Sequence, residues 1–310
     1  MKKALIFGMG GFVGPYLGRE LKRSGYIVYG TDSTMCLDSN RFDGFFQCDI
    51  LNKEKVCQLI KEIMPSHIFN LAAISSIVQS WQIPDSTIQV NINGTLNIFC
   101  ACLAIDIKPR ILLVGSSEEY LSCDYPMDEN TSLNANNPYG ISKVTQERFA
   151  ILYKTQYGMQ IYCVRPFNHT GVGQRDSFVL ASFCKQAAAI EKSGKSGVIK
   201  VGNLSARRDF GHVKDLMKAY RLIVESEDCN TIYNVGAGKA YSLKSLLEYI
   251  ISLCSQHITI EIDQDRFRPI DNPYICCNNS KIRHELGWKP EYEVFDALKE
   301  MFYSYLNSEK

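Results

Sequence analysis

Residues 3–8 (KALIFG) form a short apolar run. Directly after it, Gly8, Gly11 and Gly14 recur as GxxGxxG, and a stretch with helical spacing runs on to Ser24 and Gly25. No other feature limits the fold so strongly. A continuous apolar run of this length reads as a buried parallel strand, and a glycine just past a helix is a usual stop. Glycines between the two permit a tight turn, close approach of backbone to a pyrophosphate, and close packing of helix on strand. The free N–H groups and dipole at the helix N-terminus then favour the anion. Gly8, Gly11, Phe12, Val13 and Gly14 are the expected dinucleotide cradle.

The pattern continues downstream. A second strand is expected over residues 27–31, followed by Asp32. An acid there accepts hydrogen bonds from an adenosine ribose and repels a 2′-phosphate, so NAD(H) is favoured and NADP(H) is the alternative. A third strand over 45–48 leads into Asp49 and Ile50. A helix over 56–64 stops at Pro65. A fourth strand over 67–71 ends in Leu71, Ala72 and Ala73, small enough to leave room for cofactor. A long helix over 83–104 is expected to break near Pro84. A fifth strand over 110–114 precedes the run GSSEEY, residues 115–120, and a sixth covers 160–165. Strands alternating with helices at this spacing imply a doubly wound parallel sheet. Its ligands bind at the carboxyl ends of the strands near the switch point.

One helix carries more than spacing. Tyr139 and Lys143, in the run NPYGISK, stand four residues apart at the start of a helical stretch, so both side chains share a face. An ammonium beside a phenol favours the phenolate, which lowers the Tyr pKa. Such a Tyr can exchange a proton with a substrate oxygen. YxxxK alone is common. What distinguishes this one is that Gly8–Gly14, Leu71–Ala73, Ser116–Glu118 and the residues from Arg165 to Asn168 all follow predicted strands and converge on one sheet edge.

After Asn168 the rhythm changes. Helices are expected over 178–189, 213–224, 243–254, 281–286 and 295–306, and strands over 198–201, 231–235 and 258–262. The stretch 203–210 is polar, with adjacent Arg207 and Arg208, and 266–273 reads as a loop. This defines an α/β chain with a Rossmann-type doubly wound parallel sheet over residues 1–167. A smaller C-terminal substrate-binding lobe covers 168–310, with some segments returning to the first domain.

Composition narrows the function classes. The chain has 310 residues, 45% of them hydrophobic, and net charge +1. That supports one large or two small cores and points neither to nucleic acid nor to an anionic membrane. No consecutive apolar run approaches the roughly 18 residues that span a bilayer. The Met1-Lys2-Lys3 start leads into too short an apolar run for a signal peptide, so a cytoplasmic protein is expected. The twelve cysteines include no CxxC pair and read as reduced. The five histidines form no metal-spaced cluster.

Taken in order, GxxGxxG, GSSEEY, YxxxK and the run RPFN at residues 165–168 make the chain resemble, over essentially its whole length, an extended short-chain dehydrogenase/reductase acting on nucleotide sugars. GSSEEY, FNHTG (167–171), IKVGNL (199–204), RDF (208–210) and LGWKP (286–290) resemble the GDP-4-keto-6-deoxy-D-mannose reductases that make GDP-D-rhamnose. GDP-mannose 4,6-dehydratases share several of these stretches, including an Arg-Asp-aromatic-Gly-His run like residues 208–212.

The resemblance implies Tyr139 as general acid, and Lys143 as the group that lowers its pKa and holds the nicotinamide ribose. It implies Ser116, with Ser117 beside it, as the hydroxyl on the reacting C4 oxygen, and Asn168 as a substrate contact. Arg208 and Arg268 are implied as diphosphate ligands, a task that suits bidentate guanidinium geometry, with Lys185 and Asn203 toward the nucleotide. A GDP-linked sugar is the implied partner, and a homodimer through a four-helix contact the implied assembly. Glu118 is placed to serve as acid/base in the dehydratase alternative. An epimerase or 4-dehydrogenase is a third option, and a dinucleotide-sensing regulatory protein is the alternative outside catalysis. The chain departs from the family pattern at Asp32, at Leu121 where a Gly commonly stands, and at Asp271 where a Glu is usual.

Overall fold

The computed structural model describes residues 1–35, 42–228, 231–267 and 272–308. In chain order the first half runs β1 (Lys3–Phe7), α1 (Gly14–Arg23), β2 (Ile27–Asp32), β3 (Gly44–Gln47), α2 (Lys53–Ile63) and β4 (His67–Asn70). It continues through α3 (Ile77–Gln82), α4 (Pro84–Ile88), α5 (Gly94–Ile105), β5 (Arg110–Val114), α6 (Pro138–Tyr157) and β6 (Gln160–Pro166). The second half contributes β7 (Asn168–Thr170), α7 (Val179–Ser193), β8 (Gly197–Val201), β9 (Arg207–His212), α8 (Val213–Glu225) and β10 (Ile232–Val235). Then come β11 (Ala240–Ser242), α9 (Leu243–Ser252), β12 (Ile258–Ile262), β13 (Tyr274–Ile275), α10 (Ser280–Leu286) and α11 (Val294–Asn307).

Seven strands form one parallel sheet in the order β10-β6-β5-β4-β1-β2-β3. Chain order reverses between β1 and β4, which makes that gap the switch point. The buried strands β1, β4 and β6 carry apolar residues on both faces because helices cover both. On one face Leu17 and Leu21 of α1 meet Val213, Leu216 and Tyr220 of α8. On the other, Val56 and Ile60 of α2 meet Ile98 and Phe99 of α5. A separate core holds α7, α9 and α11 together around Phe183, Leu246 and Phe302. The strand after Thr231 belongs to the main sheet: β10 pairs with β6 from Ile232↔Cys163 onward.

Three readings change. The polar stretch 203–210 ends in a strand: residues 207–210 open β9, which pairs with β7, β11 and β13. Its Arg208, Asp209 and His212 are buried, and charge at those positions hid the strand. The break at Pro84 is sharper than one helix with a kink. α3 ends before Ile83 and α4 starts at Pro84, where a missing N–H costs nothing. A π turn, Gln89–Asn93, then joins α4 to α5. Finally, Pro84–Ile105 is long enough to cross a membrane and has a mean hydropathy of 1.5, although no consecutive apolar run suggested it. Its apolar residues serve the core, since Ile98, Phe99 and Cys102 are fully buried against the sheet.

Candidate active site

The glycine turn closes as its spacing predicts. Gly8 sits at φ +79°, and a Cβ there would lie 2.6 Å from the Ala72 amide nitrogen. Here the approach of two strand ends excludes a side chain. At Gly14 a Cβ would meet the Met9 backbone, so α1 packs directly on the turn. Gly8 and Met9 donate to the Thr31 carbonyl at 2.9 and 3.0 Å. Asp32 is the last residue of β2 rather than the first after it. Its Oδ2 accepts the Gly10 N–H at 3.0 Å, so the acid and the turn form one unit. The sequence reading passed over Gly10.

The neighbouring candidates fall around this turn. Val13 caps α1, and its carbonyl accepts from Tyr16 and Leu17. Phe12 stacks on His169 of β7, with ring centroids 6.1 Å apart and planes 10° apart. Leu71 donates to the Phe7 carbonyl, and Ala72 N–H to Asn70 Oδ1. Leu71, Ala72 and Ala73 are all partly accessible. Asp49 is exposed and caps its own turn by accepting the Leu51 N–H at 2.9 Å, while Ile50 is buried against Gly94. A space that a Cβ would fill, with a carboxylate at the end of β2, fits a dinucleotide held by pyrophosphate and ribose.

At the carboxyl end of β5 the chain turns through Ser116, which caps a single 3-10 turn, Ser117–Glu119. Its Oγ accepts the Glu118 N–H at 3.1 Å, and its hydroxyl lies on the Tyr139 side of the turn, where it lowers the phenol pKa. Tyr139 stands in the first turn of α6. Asn137 caps that helix, accepting the Gly140 N–H at 2.9 Å and donating to Glu118 Oε2 at 3.1 Å. Lys143 lies one turn on. It is buried and donates to the Val114 carbonyl at 2.9 Å, with its nitrogen 5.7 Å from the Tyr139 ring centre. The structure thus brings Ser116, Glu118, Tyr139 and Lys143 together. Ser117 is buried in the same turn.

The electrostatics differ from the expectation. Burial raises the Tyr139 pKa, and Ser116 only partly opposes it. Lys143 is itself pushed down to about 8 by burial, against a raising influence from Glu119. At Tyr139 desolvation outweighs the influences that favour the phenolate, and the Lys143 ammonium is committed to the Val114 carbonyl. Tyr139 is a protonated phenol at neutral pH.

Several supporting residues escaped the sequence reading. Asn91, on the π turn, accepts from Ile74 N–H at 2.8 Å and donates to Ser142 Oγ at 2.9 Å, tying the loop after β4 to α6. Gln146 donates to the Asn91 carbonyl and to Thr95. Such turns recur at functional sites because they aim one side chain inward. Arg165 forms a two-pronged pair with Glu147, at 2.9 and 2.6 Å, and donates to the Tyr120 hydroxyl at 2.9 Å. No local signal marks these pairs, which lie 18 and 45 residues apart.

The substrate candidates are more scattered. Asn168 opens β7, and its Oδ1 is buried with no hydrogen-bond partner among the described residues. Arg208 is buried on β9 and donates to the Arg207 carbonyl at 2.9 Å. Asn203 accepts from Ser205 at the approach to that strand. Lys185 is exposed on α7 and ion-paired to Asp176 at 2.5 Å. Arg268 and Asp271 lie outside the described residues.

A Rossmann sheet with a glycine cradle at its switch point and a Ser–Tyr–Lys group beside it defines an extended short-chain dehydrogenase/reductase, an NAD(P)-dependent enzyme. The profile of the GDP-mannose 4,6-dehydratase family matches residues 5–301, and the chain belongs to that family. The GDP-6-deoxy-D-mannose reductase of Pseudomonas aeruginosa is 26% identical, over 96% of this chain and 95% of its own. A GDP-mannose 4,6-dehydratase of Yersinia enterocolitica is also 26% identical, covering 97% and 93%. The structure of RMD from Pseudomonas aeruginosa complexed with NADPH superposes with TM-score 0.87 at 24% identity, covering 99% and 98%. UDP-glucose 4-epimerase from Brucella ovis with NAD gives the same TM-score at 22% identity, covering 99% of each chain.

Proposed function

We propose that this enzyme reduces the C4 ketone of a GDP-linked 4-keto-6-deoxy sugar, with Tyr139 as the proton donor. The observation that carries this reading is the grouping of Ser116, Tyr139 and Lys143 at the sheet edge that holds the glycine cradle. A nicotinamide bound in that cradle supplies the hydride. Ser116 and Tyr139 are placed to grip the ketone oxygen, and Tyr139 gives its proton as charge develops there. Lys143 holds the nicotinamide ribose. Asp32 takes the adenosine ribose and favours NADH over NADPH.

Asn168, whose buried oxygen has no partner among the described residues, is assigned to the sugar. Arg208 is assigned to the diphosphate with Arg268, and Asn203 and Ser117 to secondary contacts. Lys185 is the weaker nucleotide ligand, because its ammonium already faces Asp176. The P. aeruginosa relative carries the matching activity in its name.

The decisive assay follows absorbance at 340 nm with NADH or NADPH and a GDP-4-keto-6-deoxy hexose. Consumption supports the reductase. Glu118 favours a second reading, since a carboxylate held by Asn137 beside Ser116 suits elimination of water. Loss of water from a GDP-hexose without added cofactor would move the enzyme to the dehydratases. A homodimer is the proposed assembly, through exposed Leu103 of α5 with Ile141 and Leu152 of α6. Light scattering should give twice the 35.1 kDa chain mass, and Leu152→Glu should return it to one.

A further inference from the structure

The short strand β7 joins the cofactor side of the site to the substrate side. Its Asn168 is the residue assigned to the sugar, and it pairs with β9, the strand of Arg208, in the register Asn168↔Phe210 and His169↔Gly211. The same stretch of chain meets the cofactor turn at two points. The Phe12 ring of the glycine turn stacks on His169, and it also meets the Tyr16 ring of α1 at 72°, with centroids 5.9 Å apart. Tyr16 in turn donates its hydroxyl to the Val172 carbonyl at 2.9 Å. The His169 ring is fixed to its own strand. Its Nδ1 lies 3.1 Å from the Phe167 carbonyl, which can only accept, so Nδ1 carries the proton. Behind the ring, the His169 carbonyl accepts from Gln174 Nε2 at 3.1 Å, and Gln174 Oε1 accepts the Thr170 hydroxyl at 2.6 Å. The Gln174 carbonyl accepts from Tyr305 of α11 at 3.4 Å. Gly171 leaves no slack, since a Cβ there would lie 2.6 Å from Val213. Packed rings and hydrogen bonds therefore run without a break from the glycine turn to Asn168.

We propose that Tyr16 and His169 are positioning residues that tie the cofactor turn to the substrate strand, so that a dinucleotide in the cradle and a nucleotide sugar against β7 strengthen each other's binding. The physical reason is shared ordering. Phe12 is partly accessible on the turn. A dinucleotide that fixes the turn also fixes the rings against it, and with them β7 and Asn168. The second ligand then meets a strand already ordered and binds more tightly. Linkage makes the effect reciprocal.

The test is a binding cycle on the full chain. Calorimetry gives the Kd of GDP with and without saturating dinucleotide, NADH or NADPH, whichever binds more tightly. The wild-type Kd should fall about tenfold when dinucleotide is present, and the dinucleotide Kd should fall by the same factor when GDP is present. Tyr16→Phe keeps the ring and removes the hydroxyl from Val172. His169→Ala removes the stacked ring. Each should reduce the factor, and the double variant should bring it to about two or less. The factor is a ratio, so a change in one affinity alone does not imitate its loss. A role in folding alone would lower the melting temperature and leave the factor in place. A wild-type factor of one, or a factor undiminished in the double variant, overturns the proposal. If His169→Ala does not fold, Tyr16→Phe carries the comparison, and an undiminished factor there overturns it equally. This arm rests on the GDP-sugar reading, whereas a second arm needs only the dinucleotide. Hydrogen exchange read by mass spectrometry should show peptides from residues 168–178 protected by dinucleotide in the wild type and not in the double variant. A wild type that does not bind GDP would count against the GDP-sugar reading and leave the exchange arm to decide this one. Exchange over 168–178 that dinucleotide leaves unchanged in the wild type overturns the proposal.

Discussion

A proton donor must keep its proton until the substrate oxygen needs it, and burial, which raises the Tyr139 pKa, suits Tyr139 to the donor role proposed for it. Tyr139→Phe keeps the ring and removes the acid. We expect kcat to fall about 10²- to 10⁴-fold with cofactor affinity within a few-fold of wild type, as measured by stopped-flow turnover and nucleotide fluorescence titration. Full activity would remove Tyr139 from the chemistry. Asp32 is argued at the same scale. Asp32→Ser frees the Gly10 amide and, on the proposed role of Asp32, withdraws the carboxylate that would repel a 2′-phosphate. The NADPH-over-NADH ratio of kcat/KM should rise about tenfold, and a ratio that stays put would locate cofactor choice elsewhere. Both residues were legible in the sequence from local pattern. The direction of the Tyr139 shift was not, because spacing places Lys143 nearby but does not reveal that its ammonium turns to the Val114 carbonyl.

At the scale of elements, α6 carries the site, and its start matters more than its length. Asn137 caps the helix and reaches Glu118, so it fixes the turn on which Tyr139 sits. Asn137→Ala should cost about 1–2 kcal/mol of stability and lower kcat without changing the cofactor Kd. Denaturant unfolding alongside kinetics checks both parts, and unchanged stability would contradict the cap. Element existence was readable wherever apolar periodicity was strong, as in β1, β5 and α8. β9 was not readable. Its buried Asp209 is tolerated only because Ala237, Gly238 and Cys277 donate backbone N–H groups to it at 2.8–3.0 Å. Those donors come from 28 or more residues away, so the sequence around Asp209 looks like solvent-facing chain.

For the whole molecule, acid stability is set partly by a histidine far from the chemistry. His67, buried on β4 against Tyr26, is pushed down to about 4, first by burial and then by the charges of Lys2 and Arg110. The unfolded chain takes up this proton near pH 6.5 and the folded chain does not until about pH 4. This contribution is therefore intact above 6.5 and is lost as pH falls toward 4, by up to ~3 kcal/mol. His67→Gln should flatten that part of the curve. Denaturant midpoints of both proteins from pH 7 to 4 measure it, and parallel curves would refute the assignment.

The sequence by itself determined the parallel sheet, the glycine cradle, Asp32 at the end of β2, and Tyr139 and Lys143 on one face of α6. All of these rest on periodicity and turn chemistry within a few residues. Only the tertiary structure decided what faces what. It set Glu119 between the Ser116 amide and Arg165, put Asn91 under the loop after β4, made residues 208–210 part of a buried strand, and committed Lys185 to Asp176. The physical reason is the same in each case. The cost of burying a charge or an amide is offset by partners distant in sequence, and no local pattern records where those partners are.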